Sequence, residues 1–356
     1  SRPTPVYAVP VFPSAVTQIA TRRALGSGST YFLLDDGTVW SVGSAASLGD
    51  GTTSARSTPA QIPGLTGVTQ IEAGANGSAY ALLSSGQVRS WGANAVGQLG
   101  DGTTTARTTP VVVLAPGGGG PLTGIVEIVG GSVHALARTS TGQVYAWGSN
   151  TVGQLGDGTT TARSLPGLVP GLSGITSIAA GFTSSFAVLS TGEARVWGAS
   201  GTTYSTSQLS PIVLLGAGGA GALTGIRRIA GGYATSYALL TSGQLRAWGA
   251  NAQGQLGNNS TTNSLTPVTV QGVGGGGALS GVAQVTGGYV SGQALLSSSQ
   301  VVTWGSSNDG QQGNGSTSGS RLVPGGYTLP TGTTAKAIGV VSNGAFPESH
   351  FAILNG

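Results

Sequence analysis

The chain has 356 residues, of which 7% are charged, 38% are hydrophobic and 65 are glycine, with a formal net charge of +4. Low charge and abundant glycine alone would suit a disordered chain, but the apolar share supports a packed core. Cysteine is absent, which excludes disulfides and thiolate sites, and no apolar run reaches the ~18 residues a membrane span needs. Methionine is absent even at position 1, so Ser1 reads as a processed or engineered end, compatible with a removed signal peptide. The basic residues are thirteen Arg and one Lys, Lys336, with Arg22-Arg23 and Arg227-Arg228 as the only doublets. Nucleic-acid binders concentrate such charge in a patch, so no nucleic-acid partner is expected.

Taken in chain order, Pro5-Val-Tyr-Ala-Val opens with strand-like residues, and Asp35-Asp36-Gly37 marks a hairpin turn rather than a catalytic pair. The pattern is clearest from residue 68. Val68-Thr-Gln-Ile-Glu-Ala-Gly alternates as a strand, Ala79-Tyr-Ala-Leu-Leu is a short apolar strand, Ser84-Ser-Gly-Gln is a turn, and Val88-Arg-Ser-Trp-Gly is a third strand. Asn94-Ala-Val-Gly-Gln-Leu-Gly-Asp-Gly-Thr then leads into an extended piece at Thr109-Pro-Val-Val-Val. The twelve residues from Val96 to Arg107 recur letter for letter from Val152 to Arg163. Trp40, Trp91, Trp147, Trp197, Trp248 and Trp304 are spaced by 51, 56, 50, 51 and 56 residues, a period of propellers and arrays. Each unit predicts about four antiparallel strands. Unit four lacks the Gly-Asp-Gly-Thr loop and reads Ser207-Gln-Leu-Ser-Pro, and units two, four and five carry Gly-rich inserts from Pro116, Gly216 and Gly274, expected as flexible or partner-ordered loops.

The repeats run to about residue 330, and residues 331–356 hold the start of another unit. Pro5-Val-Tyr-Ala-Val aligns with the strand that this last unit lacks, so residues 1–13 are expected to close the ring. The fold expected is all-β: one domain over 1–356, a seven-bladed propeller of four-stranded antiparallel blades. Val144-Tyr-Ala-Trp-Gly-Ser-Asn-Thr-Val-Gly-Gln-Leu-Gly-Asp-Gly-Thr and Leu172-Ser-Gly-Ile-Thr-Ser-Ile-Ala-Ala-Gly resemble the RCC1 (regulator of chromosome condensation) repeat family. That resemblance implies the seven-bladed propeller and is weak for function, because the family's roles range from nucleotide exchange to photoreception and enzyme inhibition. The chain departs from the pattern where the family often has His: only His134 fits that place. Every Trp is already used by the repeat, so a Trp-cluster light sensor is not expected, and no motif for nucleotide exchange carries over.

The recurring loop supplies one carboxylate per copy, at Asp50, Asp101 and Asp157. Calcium needs several, so a structural Asx turn is expected, with no metal and no cofactor. His134 reads as a core histidine. The run Glu348-Ser349-His350 cannot assemble a triad, because neighbours on a strand face opposite ways. No nucleophile–base constellation appears, so no enzyme is expected. One pattern stands above the repeat: an aromatic follows the end of a unit's first strand at Phe182, Tyr233, Tyr289 and, more loosely aligned, Phe346, where units one to three have Ser27, Ala75 and Ser132. Equivalent positions on neighbouring blades share one rim, so these residues predict an aromatic arc suited to a partner.

The expected function is a non-catalytic binding or structural scaffold, exported by a bacterium or carried on a cell or virion surface. One propeller face would meet a protein partner or identical subunits, with no membrane insertion. The alternatives are a secreted inhibitor of the kind found among β-lactamase-inhibitor propellers, to which the family resemblance extends, and a carbohydrate-binding module with a glycan partner.

Overall fold

The computed structural model describes residues 12–24, 27–199, 207–308, 310–341 and 349–355. Its described strands form six four-stranded antiparallel sheets and one two-stranded sheet. Within each blade the strands pair in sequence order. The blades span 16–61, 68–112, 125–168, 175–213, 226–269 and 282–326. The first strand of each blade packs against that of the next, around a central channel.

The expectation of seven four-stranded blades is corrected: the described residues form six. After blade six, Thr334–Val341 pairs with Ser349–Asn355 alone, and this two-stranded sheet lies between blades six and one. Among the described residues the last unit carries two strands, not the four of the other units. The proposed closing strand at residues 1–13 falls mostly outside the described residues. Phe12, at its edge, packs on blade one, with ring centroids 4.9 Å from Phe32 and 5.8 Å from Trp40.

Burial explains the strand pattern. A blade is sandwiched between two others, so its second strand is apolar on both faces: in blade two, Ser78 to Leu82 are all buried. The hydrophobic cores lie between blades. Tyr80, Leu82, Val88 and Val113 of blade two close on Ile125, Ile128, Ala135 and Trp147 of blade three. The recurring Leu of the long loop is fully buried at Leu48, Leu99, Leu155 and Leu256, and Leu155 and Leu256 join the cores between blades three and four and between blades five and six. The Gly after it has no alternative. Gly156 has φ +71°, and a Cβ there would sit 2.7 Å from the Trp197 indole nitrogen.

The Gly-rich inserts are ordered. Leu114 bridges Pro121, Leu215 bridges Ala222 and Gln271 bridges Ala278, and each closes over a three-residue 3-10 turn that packs on the outer strand of the next blade. Glycines with positive φ at the tip, such as Gly117 and Gly118, make this hairpin, so composition that reads as a linker here encodes a turn.

An inter-blade latch recurs on the first strands. The Gln70 carboxamide donates to Ile128 O (2.8 Å) and accepts from Ile128 N–H (3.1 Å), and Gln18 makes the same pair with Ile71. In blade three Glu127 takes this position and accepts from Ile178 N–H and Ser177 Oγ, with its charge paired to Arg138 at 2.8 Å. Gln70→Ala strips Ile128 of both partners, and we expect a loss of about 1–3 kcal/mol in denaturant unfolding. Gln70→Glu keeps the acceptor but loses the donor and sets a second carboxylate against Glu72 Oε1, which accepts from the Gln70 amide at 3.2 Å, so it should not rescue the loss at neutral pH.

Candidate partner-binding site

The first strands end in turns at one mouth of the channel. These turns are tied to one another: Ala75 N–H donates to Gly131 O (3.0 Å), Ser132 N–H to Phe182 O (3.0 Å), Phe182 N–H to Gly232 O (3.1 Å) and Tyr233 N–H to Gly288 O (3.2 Å). The backbone therefore forms a continuous rim from blade two to blade six. Close approach of the blades requires glycine here. A Cβ on Gly231 would lie 2.6 Å from Gly181 N and 2.7 Å from its Cα.

Three of the four residues in the expected arc meet on this rim. The Phe182 and Tyr233 ring centroids are 4.4 Å apart at 51°, and those of Tyr233 and Tyr289 are 4.6 Å apart at 69°. Such tilted, edge-on contacts suit the ring quadrupoles. Tyr233 is 37% exposed, and Phe182 and Tyr289 are half-buried. Phe346 lies outside the described residues. Ala75 and Ser132 hold the equivalent places on blades two and three, so among the described residues the aromatic row lies on blades four to six. Below it the channel, a cavity of about 330 Å3, is lined by Gln70, Glu72, Glu127, Ser177 and Arg228 among others.

The two histidines occupy structural places. His134 is buried, and its Nε2 is 3.0 Å from Ser185 Oγ. Ser185 spends its own hydrogen on Gln154 O (2.8 Å), so His134 Nε2 carries the proton and donates. The resulting Ser–His pair is sealed between blades three and four. His350 Nε2 is 2.6 Å from Ser291 Oγ on blade six.

The Asp residues of the long loop form Asx turns. Asp101 Oδ1 accepts from Thr103 N–H (3.0 Å), Thr103 Oγ1 (2.8 Å) and Asn94 Nδ2 (3.1 Å), while Oδ2 pairs with Arg107 at 2.8 Å. Asp50 pairs with Arg56 and Asp157 with Arg163 in the same way. Sequence reading missed these arginines, although the signal was present: the twice-written segment ends on an Arg six residues after its Asp. Burial would raise the three carboxyl pKa values, but the hydroxyl, amide and Arg partners outweigh it and hold them below the ordinary range. The folded state therefore takes up these protons less readily than the unfolded chain, whose carboxyls titrate near ~4. The stabilisation is complete above that pH and is lost as pH falls through the lower folded values. Asp101→Asn should cost about 1–2 kcal/mol at neutral pH, and its stability curve should converge on that of the unaltered chain in acid.

A ring of antiparallel four-stranded blades around a channel, with its cores between blades, defines a β-propeller. Its repeats are of the RCC1 type: the Regulator of chromosome condensation (RCC1) repeat matches residues 85–138, 141–188 and 242–290, and a second profile of that repeat matches 125–154 and 226–255. The human E3 ubiquitin-protein ligase HERC2 is 40% identical over 152 residues, 41% of this chain and 3% of that protein. The Ultraviolet-B receptor UVR8 of Arabidopsis thaliana is 30% identical over 285 residues, 78% of this chain and 62% of the receptor. The chain thus spans only part of these relatives. Among solved structures, human WBSCR16 superposes with a TM-score of 0.76 at 20% identity, covering 94% of this chain and 85% of that one. Prp20p from Saccharomyces cerevisiae does so with a TM-score of 0.74 at 22% identity, covering 94% and 82%. At these identities the two structures speak for the fold alone. These relatives are eukaryotic, so a bacterial or phage source draws no support from them.

Proposed function

We propose that the chain is a non-catalytic, protein-binding propeller that engages its partner through the aromatic side of the channel mouth. The observation that carries this reading is the row Phe182–Tyr233–Tyr289, three rings held in mutual contact on a backbone rim bonded from blade to blade. Large rings that are already ordered lose little entropy on binding, which is what an interface anchor needs. Similar propellers support the class of partner: Prp20p has described binding properties to Gsp1p and histones, and yeast RCC1 has been solved with Kap60 bound. Action outside a cell or on a virion belongs to the same proposal and rests on composition alone, no Cys and a single Lys.

The test is site-specific photo-cross-linking. A photoreactive side chain at Tyr233 should trap one partner, whereas the same group at Ser85, on a hairpin at the other end of a blade, should not. Adducts from Ser85 without adducts from Tyr233 would move the interface to the opposite face.

A further inference from the structure

The Asp-Gly of the long loop is conserved between units one, two and three, but unit six reads Asn314-Gly315 at that place. In four units the residue after the Asp or Asn is anchored to the outer strand of the next blade. Gly51 N–H donates to Thr108 O (2.9 Å), Gly102 to Ser164 O (3.0 Å), Gly158 to Leu209 O (2.9 Å) and Asn259 to Leu322 O (2.9 Å). Unit six faces the two-stranded sheet, which offers no described outer strand, and Gly315 N–H has no backbone acceptor among the described residues. Asn314 and Gly315 are both exposed, and the space around the Gly315 Cα is open. Ser316 N–H donates to Asn314 Oδ1 (3.1 Å), which draws electrons from Cγ.

The receiving charge is also in place. Arg56, Arg107, Arg163 and Arg321 each pair across the ladder with the Gly that follows their blade's Trp or its third-strand equivalent, Gly43, Gly92, Gly148 and Gly305. The first three meet an Asp. Arg321 instead donates to Gly326 O (3.1 Å) and Thr303 Oγ1 (3.5 Å), and no carboxylate pairs with it among the described residues. Burial presses its pKa below the ordinary value, as it does for a guanidinium without a counter-charge.

We propose that Asn314 is a site of spontaneous deamidation, and that the aspartate formed there pairs with Arg321 to give unit six the ion pair of units one to three. The Gly315 backbone nitrogen loses its proton and bonds to Asn314 Cγ, and the side-chain nitrogen leaves as ammonia. Water then opens the succinimide. Attack at Cγ breaks the new C–N bond and gives aspartate; attack at the backbone carbonyl gives isoaspartate. The sum is Asn plus water going to Asp plus ammonia, without redox chemistry.

Asn76-Gly77 is the internal control. Its Gly77 N–H is bonded to Gly74 O and its Asn76 N–H to Ser132 O, within the rim. The intact chain is held in mildly alkaline buffer and conversion at each Asn is followed by peptide mass mapping. Asn314 should convert about tenfold faster than Asn76, the factor that one retained hydrogen bond supplies. In denaturant the two rates should converge. Equal rates in the folded chain, or a difference that survives denaturant, would overturn the assignment of the site. The pairing is tested by a double-mutant cycle: Asn314→Asp should raise the unfolding midpoint, and Arg321→Gln should cancel the gain. No gain, or a gain indifferent to Arg321→Gln, would overturn the ion pair.

Discussion

Trp147→Ala should cost about 3–5 kcal/mol of stability, the range for removing a large buried aromatic. Trp147 is fully buried between blades two and three. Its ring stands edge-on to Tyr80, with centroids 6.3 Å apart at 77°. Its Nε1 donates to Gln98 O (2.9 Å), the carbonyl that also accepts from the Tyr80 hydroxyl (2.7 Å). One Trp therefore fills the gap between blades and fastens the long loop of the blade before it. Trp91, Trp197 and Trp304 do the same with Ser47, Gln154 and Gln255. Trp248 departs from this. The blade before it lacks the Gly-Asp-Gly-Thr loop and has Phe186 where blade two has Tyr80, and its Nε1 finds no acceptor among the described residues. A Trp→Phe change removes the N–H but keeps a ring. It should cost about 1–2 kcal/mol more at Trp147 than at Trp248, measured by urea unfolding, because only Trp147 leaves a buried carbonyl without its indole donor.

Tyr289→Ala and Tyr233→Ala should each weaken partner binding by about 2 kcal/mol, some thirtyfold, with little change in stability. Tyr233 is among the few large apolar side chains that the fold leaves exposed, and the rim under it is fixed by backbone bonds its side chain does not make. Truncation therefore removes contact surface without loosening a blade. Tyr233→Phe should retain most of the affinity, since the ring supplies the area. The matching change on the bare side of the mouth, Ser132→Ala, should leave affinity unaltered. The measurement is calorimetric titration with the partner trapped by the cross-linker.

The repeat was plain in the sequence because each blade calls for one large ring at the same place on its third strand, and in four of them the ring's N–H also ties down the preceding loop. The arc was legible for a related reason, since a position that varies while its neighbours hold a repeat is free of the packing that fixes them. Blade count was not legible. Alignment of Pro5-Val-Tyr-Ala-Val with Val144-Tyr-Ala-Trp used side-chain pattern alone, whereas a blade is made by backbone pairing, and the described residues pair into six four-stranded blades. The inserts misled because glycine serves both flexible linkers and turns with positive φ, and only the bridges such as Leu114 to Pro121 tell them apart. The latch at Gln18 and Gln70 went unseen because a polar residue on a half-exposed strand looks like a solvated one until its neighbour's backbone is in place.

The most direct measurement is hydrogen exchange on the free chain and on its complex with the cross-linked partner. With the partner on the aromatic side of the mouth, exchange should slow at 181–183, 232–234 and 288–290 while hairpins 84–87 and 140–143 stay unchanged. Protection at those hairpins with the aromatic turns unaltered would place the partner on the opposite face and overturn the proposed interface.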